Sequence, residues 1–419
     1  MSIFKWTTEP KKIYFWVEYK TLTYTLDQTQ SNPANMVTAT SPDAISMSAN
    51  DVVDFIGAYP VLLDNSWNEY RKLNPSNFKQ FDDWTDASSY VGWGNYDVMI
   101  KFPRRWYKIS TTNNITTFSL TDEPNNPEYC YAPFQRLSSW TLWASGAVYT
   151  DASAFYLGAY QWYVLSSKLR SWYWYNPTGN KTIWDFTTYA KNVFNDGLGG
   201  ITEFLQEFYL QLCYLAIFKN PFAQNVLWWW ITWYSYTSTV PNSTAWVNSY
   251  DKIWSTTSSS WAISLCYWTS STQTPIVFLW LEQWYGSVNE FLWWWGKTSA
   301  GVHISIPTTD WSNRSTPSYT PTWYTTVGTT SASSWQNISK VMWSTYWWFT
   351  PTATVSNSSY NTYFTDNVWI GSWNWLACHS WPFDQWAKCW MFYYALDVAT
   401  STKANNMWAR LMYLPNGDL

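Results

Sequence analysis

Leu281-Glu282-Gln283-Trp284-Tyr285-Gly286-Ser287-Val288-Asn289-Glu290-Phe291 is the stretch on which the fold turns. Two carboxylates, Glu282 and Glu290, stand among aromatic and aliphatic residues, with the Gln283 amide and a turn at Gly286 between them. Charged groups rarely sit in apolar runs unless something pairs with them. The segment therefore reads as a buried polar knot whose carboxylates accept backbone N–H bonds. A matching cation lies far along the chain. Arg410, in Ala409-Arg410-Leu411-Met412, is expected to be a buried guanidinium fork that ties loops to a carboxylate. A structural role for both glutamates is preferred to a catalytic one.

Outward from that knot, composition sets the class. The 419 residues carry 24 Lys+Arg against 28 Asp+Glu, a net charge of −4, which lacks the single-sign field that a nucleic-acid backbone selects. Charged residues make up 12% of the chain, about half the usual share. No apolar run reaches the roughly 18 residues of a membrane-spanning helix. The start, Met1-Ser2-Ile3-Phe4-Lys5, has no apolar signal core. A chain of this length is expected to form two or three domains with ample core.

The anomaly is 38 Trp beside only 15 Gly. Flat rings could form a sugar-stacking surface, whereas an interfacial belt needs a membrane span that is missing. A third reading is that many of these positions are physically glycine positions. Trp228-Trp229-Trp230 and Trp293-Trp294-Trp295 are runs that cannot all bury, and a glycine run there would be an ordinary turn. Trp347-Trp348 and Trp373-Asn374-Trp375 lie in Ser/Asn-rich turn stretches, Trp184 opens a helix, and Trp408 precedes Ala409. The expectation is that the source reads UGA as glycine. Residues 228–230, 293–295 and 373–375 should then lie in turns or at positive φ. The alternative is a genuinely Trp-rich adhesin.

Along the chain, residues 1–95 show short alternating runs such as Lys12 to Tyr19 and read as a β-rich N-terminal attachment region. Asp51 to Tyr59 reads as a short helix capped by Asn50. Tyr96 to Pro103 reads as a strand closed by proline. Two helices follow, Lys181 to Asn195 and Thr202 to Phe218. The second carries Phe204, Leu205, Phe208, Leu212, Leu215 and Ala216 on one core stripe, with Cys213 as a small buried hydrophobe. Residues 228–275 and 297–360 read as loop insertions or weak strands. Met391 to Leu396 and Ala409 to Leu414 are fit for buried strands. Together these patterns predict an α+β chain of small twisted antiparallel sheets and two helices.

The order of Asp97-Val98-Met99-Ile100, Ser167-Lys168-Leu169-Arg170-Ser171, the two helices, the 281–291 segment and the terminal Trp408-Ala409-Arg410-Leu411 resembles phage and prophage tail receptor-binding proteins with a C-type-lectin-like fold. That fold is related to formylglycine-generating enzymes and to the variable proteins of diversity-generating retroelements. In the family the central segment reads Gly-(Ile/Leu)-Glu-Asn-aromatic-aromatic-Gly-Asn-Val-aromatic-Glu-aromatic, and the end reads Gly-(Ala/Phe)-Arg-Leu. This chain departs from it with Trp280, Trp293 and Trp408 in place of glycine, and with Gln283 and Ser287 in place of asparagine. The resemblance covers residues 96–419 and implies a ligand-binding domain that recognises a host surface protein or glycan. It also implies a place in the virion tail beside other tail proteins, and assembly as a homo-trimer. No nucleic-acid partner, membrane insertion or cofactor is expected.

The resembled fold exposes the stretch before its final buried strand, here Ser372 to Tyr394. Asn374, His379, Phe383, Asp384, Gln385, Lys388 and Tyr394 offer an aromatic ring, hydrogen-bonding groups and mixed charge, a set suited to a glycan or protein receptor. Catalysis is not expected. The motif set has no phosphate loop and no nucleophile elbow. Cys378-His379 with Cys389 lacks a fourth ligand for zinc, and a Cys378–Cys389 disulfide and two free thiols both stay open. His303, in the alternating Val302 to Ile306 strand, reads as an outward polar residue. The alternatives to adhesion are a tail-associated glycan depolymerase, a formylglycine-type oxidase, or a variable protein displayed on a bacterial surface.

Overall fold

The computed structural model describes residues 18–124, 126–137, 149–160, 163–172, 178–221, 277–282, 284, 289–298, 301–305, 324–328, 336–342, 350–355, 367–370, 375–379, 394–398, 401–403 and 407–415. The first strand, β1 (Thr21–Asp27), alternates buried Leu22, Tyr24 and Leu26 with half-buried Thr residues, the period of two that a one-sided strand requires. It is followed by β2 (Val37–Ala39), α1 (Pro42–Ser46), α2 (Ala49–Ile56), β3 (Tyr59–Asp64), β4 (Glu69–Asn74), β5 (Asn77–Phe81), β6 (Tyr96–Pro103), β7 (Trp106–Thr112) and β8 (Ile115–Thr121). Next come β9 (Gln135–Leu137), β10 (Tyr149–Asp151), β11 (Ala154–Gly158), β12 (Tyr163–Leu165), β13 (Lys168–Arg170), α3 (Ile183–Lys191), β14 (Gly200–Ile201) and α4 (Phe204–Phe218). The chain continues through β15 (Val277–Phe278), β16 (Leu281–Glu282), β17 (Asn289–Thr298), β18 (Gly301–Ser305), β19 (Tyr324–Gly328), β20 (Gln336–Met342) and β21 (Thr350–Val355). It ends with β22 (Asn367–Ile370), β23 (Trp375–His379), β24 (Tyr394–Val398), β25 (Met407–Trp408) and β26 (Leu411–Tyr413).

The architecture is mixed, with mostly antiparallel sheets and few helices. A four-stranded sheet has the order β2-β1-β8-β7, and a seven-stranded sheet has the order β14-β26-β11-β6-β3-β4-β5. A nine-stranded sheet runs β19-β18-β17-β23-β24-β22-β20-β21, with β25 beside β17. Residue 95 is not a packing boundary, because β1 pairs with β8 and β3 pairs with β6 across it. The expected separate unit over residues 1–95 is corrected accordingly: its strands find their partners after residue 95. The 297–360 region supplies β18 to β21 to the large sheet, so it contributes strands rather than only loops.

Local chemistry sets the helix ends. Ser48, not Asn50, caps α2: its hydroxyl accepts the Asp51 N–H while Asp51 accepts the Ser48 N–H, and Gly57 at φ 73° ends the helix in the left-handed region. Ser48→Ala should cost about 1 kcal/mol, read as a lower urea midpoint at unchanged slope. Thr182 and Asp185 form the same reciprocal cap on α3. α4 is buried all round rather than on one stripe, with Gln206, Glu207 and Gln211 as enclosed as Phe208 and Leu212. It packs against α2 and β17. Lys219 in the left-handed conformation terminates it, one residue before the expected Asn220-Pro221 stop.

Trp293–Trp295 lie within β17, not in a turn as expected. The run is nonetheless irregular. The register with β23 jumps from Phe291–Cys378 to Gly296–Leu376, so the extra residues of β17 form a bulge. Trp375 opens β23, again a strand and not a turn, and residues 228–230, 373 and 374 lie outside the described residues.

Candidate functional site

The two large sheets meet at the end of the chain. β25 pairs with β17 of the nine-stranded sheet, β26 pairs with β11 and β14 of the seven-stranded sheet, and Ala409-Arg410 lies between them. Arg410 is 1% exposed. Its Nη1 donates to the Gly158 carbonyl at 2.7 Å, its Nη2 donates to the Glu282 carbonyl at 2.7 Å, and its Nε stands 3.5 Å from Glu290 Oε2. One guanidinium therefore touches β11, β16 and β17. The expected fork is present. Its carboxylate partner differs from expectation in one respect: Glu290 is held by side chains, the Thr202 hydroxyl at 3.0 Å and Arg410, rather than by backbone amides. Glu282 joins through its backbone, its N–H donating to Ala159 and its carbonyl accepting from Arg410.

A third carboxylate completes the knot. Glu207 of α4 accepts the Trp284 indole N–H at 2.9 Å and is fully enclosed. Nothing local in the sequence marks it, because a lone glutamate on an apolar helix reads as the solvent face. Gln283 and Gly286 lie outside the described residues.

A second buried pair lies along β6. Arg170 Nη1 stands 3.2 Å from Asp97 Oδ2, and Asp97 Oδ1 accepts the Ser171 N–H at 2.8 Å. Arg170 also donates to Asn65 and to the Gly94 carbonyl, and the Ser171 hydroxyl bridges Val98 and Tyr160. A Cβ on Gly158 would come within 3.1 Å of the Ser171 side chain, so a larger residue here would have to push that side chain aside. Asp97 is the one acidic residue of β6 and stands directly before the apolar Val98-Met99-Ile100 run.

The register brings two of the candidate ligand residues together. His379 is the register partner of Glu290 on one side and of Tyr394 on the other. Trp408, Glu290, His379, Tyr394 and Val368 thus form one line across β25, β17, β23, β24 and β22. The chain leaves β23 after His379 and enters β24 at its register partner Tyr394. No family model matches the sequence, and no curated protein matches it. Asn374, Phe383, Asp384, Gln385, Lys388 and Cys389 lie outside the described residues. Cys378 sits in β23 opposite Phe291 and Ala395, and His303 in β18 opposite Gly296.

Burial dominates the electrostatics. It pushes the Glu207 carboxyl well above the usual carboxylate range, with the neighbouring Glu290 adding to the effect, and it raises Glu290 and Asp97 against the pull of Arg410 and Arg170. Burial likewise raises the Cys213 thiol, which fits its expected role as an inert apolar residue. Among the described residues no group of three or more His, Cys, Asp and Glu gathers as a metal site. No described helix is long and apolar enough to cross a membrane. An open cleft of about 500 Å³ beside α2 sets Asp43, Asp51, Asp54 and Asp122 against Lys20 and Arg105.

These shifts fix a sign for stability against pH. A carboxyl whose folded value is raised holds its proton while the unfolded chain has lost it, so stability falls as pH rises through that window. Glu69 and Asp185 act oppositely: burial raises each, but hydrogen bonds from Lys101 and Tyr156, and from Thr182, prevail and lower them. Their contribution is lost only as pH falls through their lowered values. The urea midpoint should therefore be higher near pH 5.5 than at pH 7.5, and Glu207→Gln should remove most of that difference.

Proposed function

We propose that this chain is the host-surface receptor-binding protein of a viral tail, non-catalytic, with a C-type-lectin-like domain that presents residues 380–393 to its ligand. The observation that carries the reading is the register closure of that segment. His379 and Tyr394 bracket it on adjacent strands, and β17, the other neighbour of β23, is anchored through Glu290 to the buried Arg410. A recognition segment on a rigid base loses less freedom on binding than a free loop. The motif order from Asp97 to Arg410 supports the fold, and the enclosed Glu207, Glu282 and Glu290 suit scaffolding better than proton transfer to a substrate. Assembly as a homo-trimer among other tail proteins would multiply weak single-site contacts into stable attachment.

The test is incubation of the protein with intact host cells and with their purified surface glycan. Retention on the cells without release of reducing ends is the expected result. Released reducing ends would overturn it in favour of a depolymerase.

A further inference from the structure

Three tryptophans occupy backbone positions made for glycine. Among the described residues, Trp67, Trp84 and Trp280 have φ of 71°, 67° and 63°, a region that bulky side chains avoid and glycine enters freely. Trp67 and Trp84 hold the same place in two turns. The Trp67 N–H bonds to the Asp64 carbonyl while the Asp64 N–H bonds to Asn68, and the Trp84 N–H bonds to the Phe81 carbonyl while the Phe81 N–H bonds to Thr85. This is the pattern of a turn followed by a left-handed residue, where glycine is favoured. Trp280 lies in the two-residue loop between β15 and β16, where Leu279 also has positive φ, at 46°. Such mirror-image turns favour glycine at the second loop position.

Packing points the same way. The Trp67 ring centroid lies 3.0 Å from that of Phe194 and 2.8 Å from that of Tyr413, whereas packed aromatic rings keep about 4.5–7 Å. Phe194 and Tyr413 are themselves 5.4 Å apart, an ordinary direct contact that leaves no space for an indole between them. The indole nitrogens of Trp67 and Trp280 are buried without a hydrogen-bond partner, which native indoles seldom are. Trp84 is 70% exposed, so its backbone alone carries the argument there. Trp172 and Trp284 contrast with all three. Neither has positive φ, and their N–H groups donate to the Tyr96 carbonyl at 2.7 Å and to Glu207 at 2.9 Å. Trp184 in α3 and Trp408 in β25 also lack positive φ, so the backbone requires no glycine at either.

We propose that residues 67, 84 and 280 are glycine in the protein as its source makes it, each encoded by UGA read as glycine, while residues 172 and 284 are tryptophan encoded by UGG. The gene sequence tests this at five codons. UGA at 67, 84 and 280 with UGG at 172 and 284 is expected; UGG at any of the first three, or UGA at either of the last two, overturns the assignment at that position. Peptide masses of protein from the source should show 67 and 280 lighter by the indole side chain, and full-mass tryptophan peptides would contradict the proposal. A third readout uses the chain with tryptophan throughout. Trp67→Gly and Trp280→Gly should each raise the thermal midpoint while Trp172→Gly lowers it, and a lowered midpoint in the first two would overturn the proposal at those positions.

Discussion

Arg410→Met lowers the free energy of unfolding by about 3–5 kcal/mol, the range seen when one partner of a buried ion pair is removed. The loss has two sources. Glu290, 5% exposed, keeps a buried charge or must take up a proton, and the Gly158 and Glu282 carbonyls lose their donors. Because those carbonyls belong to β11 and β16 while Glu290 belongs to β17, the damage falls on the junction of the two large sheets. The double variant Arg410→Met with Glu290→Leu should recover part of the loss, since no charge is then left uncompensated. Urea unfolding of the two variants checks both statements, and equal losses in single and double variants would remove Glu290 from the account.

Asp97→Ala should have an effect of similar size, about 3–5 kcal/mol, because it leaves the Arg170 guanidinium enclosed without its counter-charge. It also strips the acceptor from the Ser171 N–H, and an orphaned buried donor adds about 1–3 kcal/mol. The bonds from Arg170 to Asn65 and to Gly94 tie the 65 and 94 turns to β13, so loosening should reach the β3–β4 hairpin. Hydrogen exchange would show it as faster opening of Val61 to Leu63 than in the unaltered protein.

The legible parts of this fold were those governed by local rules. β6 has the expected limits, Tyr96 to Pro103, because a continuous apolar run forms it and proline ends it. The cores of α3 and α4 were readable from helical spacing, and Arg410 and Glu290 from the rarity of charge among apolar neighbours. Long-range pairing was not readable. Residues 1–95 looked separate because the partners of β1 and β3 come later in the chain. The nine-stranded sheet was hidden because its neighbours pair out of sequence order: β17 joins β23 and β25, and β22 lies parallel to β24. Glu207 escaped notice because spacing along a helix reports which face is apolar, not what covers the other face. The tryptophan runs misled in a specific way. The triple run at 293–295 predicts a turn but lies in a bulged strand, whereas isolated Trp67, Trp84 and Trp280 carry the glycine-like backbone.

The most direct test of the account is binding of intact host cells by a variant carrying Phe383→Ala, Asp384→Asn, Gln385→Ala and Lys388→Ala, with its unfolding midpoint measured alongside. If residues 380–393 form the recognition segment on a separate scaffold, binding should fall by about tenfold or more, equivalent to at least about 1.4 kcal/mol, while the midpoint stays unchanged. Undiminished binding by the folded variant would contradict it.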